Sequence, residues 1–110
     1  MTIRTRVHRT EIPITDETVQ TLRGYMRAIA VAPSRRAPTE CLEVWYECAD
    51  IDEDMTVRFH VHGTGHPFTH RQVNAPHVGT VFTHESQLVW HVYAEYPLSE
   101  ELYEARRHRG

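Results

Sequence analysis

Residues 55–62 read MTVRFHVH, and apolar and polar side chains alternate through them without a break. Successive side chains of an extended strand point to opposite faces, so a period of two marks a half-buried strand and argues against a helix. The segment is expected to place Val57, Phe59 and Val61 in a core and to turn Arg58, His60 and His62 outward to solvent. The same pattern recurs in residues 41–49. There Leu42, Val44, Tyr46 and Cys48 share one face, and Cys41, Glu43, Trp45 and Glu47 share the other. In residues 87–95, Leu88, Trp90, Val92 and Ala94 share a face. Further strands are expected over 2–12, 18–22, 25–32 and 77–84, with Ile29 and Val31 on one side of the third.

Between these runs lie the residues that interrupt regular structure. Pro13, a turn over 14–17, Gly24, the PSRRAPT loop of 33–39, an acidic turn over 50–54, Gly63-Thr64-Gly65 and Glu85-Ser86 separate the strands. A polar loop spans 68–76. Six or seven short strands with little helix predict one antiparallel β-sandwich or small barrel, a β domain of residues 1–96. After Pro97 the pattern changes. Ser99 reads as a helix N-cap, Glu100 and Glu101 fill a first turn, and arginines fill the last, so 97–110 is expected to be a short helical tail.

The chain has 110 residues, enough to bury a core in one domain without covalent staples. Cys41 and Cys48 fall in one expected strand, seven residues apart, which is about 23 Å at ~3.3 Å per residue and too far for a disulfide. Without a CxxC spacing, thiolate zinc is not indicated. No apolar run approaches the ~20 residues of a membrane span, and the first residues lack the apolar core of a signal peptide. A cytoplasmic setting is the expectation. Every one of the 12 basic residues is arginine, and the net charge is -3. That balance does not favour nucleic acid as a partner. Arginine suits two-point capture of phosphate or carboxylate, although GC-rich coding accounts for its use as well.

Candidate chemistry gathers in residues 59–68, FHVHGTGHPF. His60 and His62, two apart on a strand, project to one face, and His66 returns after a glycine turn. Three imidazoles form a donor set used for zinc, iron or copper, with His84 and His91 as further donors from neighbouring strands. Cupin-like barrels carry such a His-x-His strand, but the acidic ligand expected a few residues later is replaced here by Gly63, Thr64, Gly65 and Pro67. Surface or hydrogen-bonding histidines are the plainer reading. Backbone N–H groups of Gly63-Thr64-Gly65, helped by Arg58 or Arg71, offer a nest for a small anion. Asp50, Asp52 and Asp54 begin like a calcium loop. Met55 stands at its glycine position and Val61 at its final glutamate, which rejects it. Glu43 and Glu47 could pair for acid–base work, and Trp45 beside them is a contact candidate if exposed. No serine has the setting of a nucleophile elbow.

The order Ile12-Pro13-Ile14-Thr15-Asp16, Trp45, Gly63-Thr64-Gly65-His66-Pro67, Val78-Gly79-Thr80 and Leu88-Val89-Trp90-His91-Val92 resembles a family of short phage and prophage proteins that carry no assigned activity. The resemblance covers roughly residues 7 to 94, and the GTGHP and LVWHV segments are its specific parts. It implies a compact, mainly β accessory protein of a phage or prophage, acting in the host cytoplasm. The expected function is that of a non-catalytic module that binds a host protein or sequesters a small, anionic ligand. The surface would comprise Arg58, His60, His62, Gly63, Thr64, Gly65, His66 and Trp45. Exposed sheet edges make a homodimer the modest expectation. The alternatives are a metal-dependent enzyme using His60, His62 and His66, and a minor virion component.

Overall fold

The computed structural model describes residues 3–67 and 75–99. They form two antiparallel sheets and, among the described residues, no helix. The strands are β1 (Thr5–Pro13), β2 (Glu17–Arg23), β3 (Tyr25–Pro33), β4 (Cys41–Ala49), β5 (Asp54–Gly63), β6 (His77–Thr83), β7 (Leu88–Ala94) and a two-residue β8 (Leu98–Ser99). The first sheet has the order β1-β4-β3. The second has the order β2-β5-β7-β6, and β8 pairs with β5. The alternation read from the sequence places these strands well. Ser99 pairs with Met55 as strand. The helix expected beyond it falls on residues 100–110, outside the described residues, as does most of the 68–76 loop.

One core joins the sheets. Ile12, Leu42, Val44, Tyr46 and Cys48 enter it from the first, and Val57, Phe59, Val61, Val81, Val92 and Ala94 from the second. Phe59 is fully buried between β2 and β7, its strand neighbours. Cys41 and Cys48 are free thiols on one strand. In β3 the pairing with β4 slips between Tyr25 and Arg27 and again between Ala28 and Ala30. Ile29 falls in the second slip and is exposed, while Val31 packs on the core, so the two do not share a side as expected. Such bulges also spoil an edge strand as a template for pairing. On the same flank, a Cβ at Gly79 would come within 2.9 Å of Val31, so the missing side chain lets β6 close against β3.

The chain passes between sheets at Gly24. This residue alone links β2 to β3, and the 50–53 turn links β4 to β5 beside it. The Gly24 N–H donates to Glu53 O at 2.8 Å, and the Gly24 carbonyl accepts from Ala49 N–H at 2.8 Å. With φ at +67 and a Cβ position only 2.1 Å from Ala49 O, no side chain fits. The acidic turn holds no calcium-loop arrangement. Asp52 and Asp54 face Arg23 at 3.2 and 3.6 Å.

The outer face of the first sheet buries charge. Glu11 and Glu43 are register partners on β1 and β4. Like charges directly opposite repel, so they need compensation. Arg36 pairs with Glu11, Arg9 pairs with Glu43, and Arg35 Nε lies 3.2 Å from the same Glu43. The hydrogen bond from Arg36, then that from Ser34, holds the Glu11 carboxyl below its ordinary 4.5. Burial alone would raise Glu43, but the Arg35 and Arg9 guanidiniums outweigh it and hold it below 4.5 too.

Gly24→Ala is expected to cost about 3 kcal/mol or more, because strain and a backbone clash combine. Gly65→Ala, also at positive φ but in open space, should cost only about 1 kcal/mol, both losses being read from urea titrations. Acid should weaken the fold as well. Depressed carboxyls contribute stability that is complete above the unfolded value of 4.5 and lost as pH falls through the lower folded values. Urea midpoints followed from neutral into acid should drop below about pH 4.5, and Glu11→Gln should flatten that branch.

Candidate functional site

β5 lies inside its sheet, with β2 along one side and β7 and β8 along the other. Its alternation sends Val57, Phe59 and Val61 to the core and Arg58, His60 and His62 to the opposite face, as the sequence requires. That face is not the solvated surface expected. His60 is fully buried, His62 is buried, and Arg58 is half-buried. The reason is the central position of the strand: β2 and β7 flank His60, and side chains of β7 cover His62. Glu17 on β2 and Tyr93 on β7 are the register partners of His60, and His91 on β7 is that of His62.

Carboxylates meet His60 on both edges. Its Nε2 lies 2.5 Å from Oε2 of Glu95, and its Nδ1 lies 3.8 Å from Oε1 of Glu17. Glu95 occupies the break between β7 and β8, where its backbone N–H donates to Arg58 O at 2.9 Å. Arg58 Nε in turn lies 3.8 Å from Glu17 Oε1. Each of Glu17, His60 and Glu95 offers one ligand atom within 4.8 Å of the others, a geometry that could hold a metal ion.

This group is not the trio expected from the sequence. His60 and His62 stack with ring centroids 6.4 Å apart, side by side along the strand rather than around one point. The His66 ring folds back over Gly63, and the His66 backbone N–H donates to Gly63 O at 3.1 Å. Among the described residues, His60 gathers carboxylates and not imidazoles. Glu17 and Glu95 were missed because both sit far from His60 in sequence. Strand register alone brings them in, and no local motif carries that signal.

His77 and His91 join a polar network on the same face. His91 Nε2 lies 2.9 Å from Thr64 Oγ1, and its Nδ1 lies 3.1 Å from Thr80 Oγ1. Thr64 thus fastens the 63–67 turn to β7, and Gly65 takes the positive φ that the turn needs. His77 stands against Tyr93, ring centroids 5.0 Å apart. Burial, then the neighbouring His60, pushes the His62 pKa below its ordinary value. His62 is therefore a neutral imidazole near pH 7. Arg71, the alternative helper for an anion at this turn, lies outside the described residues. His84 sits in the β6–β7 hairpin, where it, Glu85 and Ser86 all take positive φ, and its Nδ1 lies 2.9 Å from Thr83 Oγ1.

Trp45 does not belong to this surface. It lies on β4, between Arg9 and Ala30 of the neighbouring strands, on the outer face of the first sheet. The core separates it from His60. The sequence could not show this, because strands 41–49 and 54–63 follow one another yet enter different sheets. Glu43 and Glu47 beside it are ion-paired, Glu47 to Arg27 at 2.5 Å, so they are not poised as an acid–base pair.

None of the described residues forms a helix long and apolar enough to cross a membrane. No curated protein and no solved structure matches the chain. A family model does match, over residues 3–102, which is most of the length. The chain therefore belongs to the family described as a domain of unknown function, DUF7352.

Proposed function

We propose that this chain is a non-catalytic binding module, an accessory protein of a phage or prophage, that works through the outer face of its second sheet. The phage setting rests on the likeness of its GTGHP and LVWHV segments to such proteins. The binding role rests on one observation. Glu17, His60 and Glu95 converge on a face that contributes nothing to the shared core. A buried imidazole between carboxylates is costly unless its partners are well placed. Here they come from β2, from β5 and from the break after β7, a donor set in reach of one ligand.

The ligand that suits this set is a divalent transition metal. An imidazole with two carboxylates is a common donor combination for zinc, manganese or iron. Arg58 beside Glu17 supplies a positive charge for an anion that approaches the same face. The same donors favour a second reading, a metal-dependent enzyme. Three protein ligands leave positions where a metal would activate water. A host protein is the other partner that such a face could take.

Elemental analysis of protein purified without chelator or tag separates the two metal readings from a protein partner. About one equivalent of metal is expected, with a melting temperature that rises on adding zinc or manganese. Glu95→Gln and His60→Gln should each abolish the rise. Glu17→Gln, at a half-exposed position, should weaken it without loss of the fold. No metal and no thermal shift would retire both metal readings. Affinity capture from host lysate would then test the protein partner.

A further inference from the structure

On the opposite side of the sandwich, Arg9, Thr10, Glu11, Arg35, Arg36 and Glu43 line an open cleft of about 500 Å³. That volume is in the range of small-molecule sites. Its charges are layered. The side chain of Glu43 is 2% exposed and that of Glu11 31%, whereas Arg9 is 48%, Arg36 72% and Arg35 73% exposed. The carboxylates form the floor, and the guanidiniums form the rim.

The rim is held in place from below. Ser34, itself buried, donates through Oγ to Glu11 Oε2 at 2.6 Å and accepts the N–H groups of Arg36 at 3.2 Å and Ala37 at 3.1 Å. Ser34 N–H donates to Cys41 O at 3.0 Å, which ties the loop to β4. The loop that carries Arg35 and Arg36 is thus set before any ligand arrives.

Three guanidiniums and two carboxylates line the cleft, and Glu40 acts on Arg36 from its edge. The ion pairs also use few of the donors. Arg35 reaches Glu43 through Nε, Arg9 through one Nη, and Arg36 reaches Glu11 through one Nη. A guanidinium carries five N–H donors in a fixed fork. These pairs engage one nitrogen of each fork, and all three side chains line the cleft. Fastening the loop alone would need one arginine per carboxylate.

We propose that this cleft is a binding site for a small molecule bearing an oxyanion, a phosphate or carboxylate group held in two-point contact by Arg35 with help from Arg9 and Arg36. It is separate from the histidine face and stands or falls independently of the function proposed there. Planar forks match both oxyanions, so the shared chemistry defines the ligand class.

NMR of the arginine Nε–H groups, with inorganic phosphate and acetate added at constant ionic strength, tests it. Signals of Arg9, Arg35 and Arg36 should shift along one saturating curve with a Kd of about 1 mM or tighter. Those of Arg23 and Arg27, which are ion-paired elsewhere, should stay still. Arg35→Lys keeps the charge on Glu43 but loses the fork, and should weaken binding about tenfold with an unchanged melting temperature. Should that variant fail to fold, Arg36→Lys carries the same test. A response to phosphate alone or to acetate alone identifies the oxyanion. Equal drift at every arginine, no saturation, or a lysine variant that binds as well would overturn the proposal.

Discussion

The Gly24 corner sets the geometry on which both outer faces depend. Its two backbone hydrogen bonds tie the β2–β3 passage to the β4–β5 passage at one point. The β2–β5 register starts beside it, at Arg23 opposite Asp54, and runs without slip to Glu17 opposite His60. A one-residue shift would turn every β2 side chain to the other face and carry Glu17 into the core. The candidate site is therefore fixed from the far end of the strand pair, by a residue that has no side chain to offer it.

A shared feature of the two outer faces is a buried ionisable side chain held by polar partners. His60 lies between Glu17 and Glu95, and Glu43 lies beneath Arg9 and Arg35. Neither arrangement gains much as a stabilising interaction, since desolvation offsets much of the attraction. What such pairs do is forbid alternatives: each strand slip or loop shift would leave a buried polar side chain without its partner. The outcome differs between the faces. On the second sheet acid outnumbers base around one imidazole, which suits a cation. On the first, exposed guanidiniums form the rim above the carboxylates, which suits an anion.

Much of the fold was legible. Alternation in residues 41–49 and 55–62 located β4 and β5, and the glycines and prolines marked where strands stop. The bulges of β3 were not legible, because slips arise between strands. The helix-like charge order after Pro97 concerns residues 100–110, outside the described residues; Ser99 just before them pairs with Met55 as strand. At the site, the sequence found His60 and lacked its acids. It sought a carboxylate within a few residues, whereas Glu17 and Glu95 stand 43 and 35 positions away. Trp45 was drawn into the wrong surface for the converse reason: nearness along the chain did not mean the same sheet.

By itself the sequence determined what is local: which residues extend, which side of each strand is apolar, that two cysteines on one strand do not join, and that glycine must occupy the tight turns. These follow from the two-residue period of a strand and from backbone sterics, which act over a few bonds. Only the tertiary structure decided that the polar side of β5 would be closed off and which acids would meet His60. It likewise decided that three arginines would roof two carboxylates on the other sheet. Strand pairing has no local code for its partner, and burial of a face depends on what the neighbours bring to it.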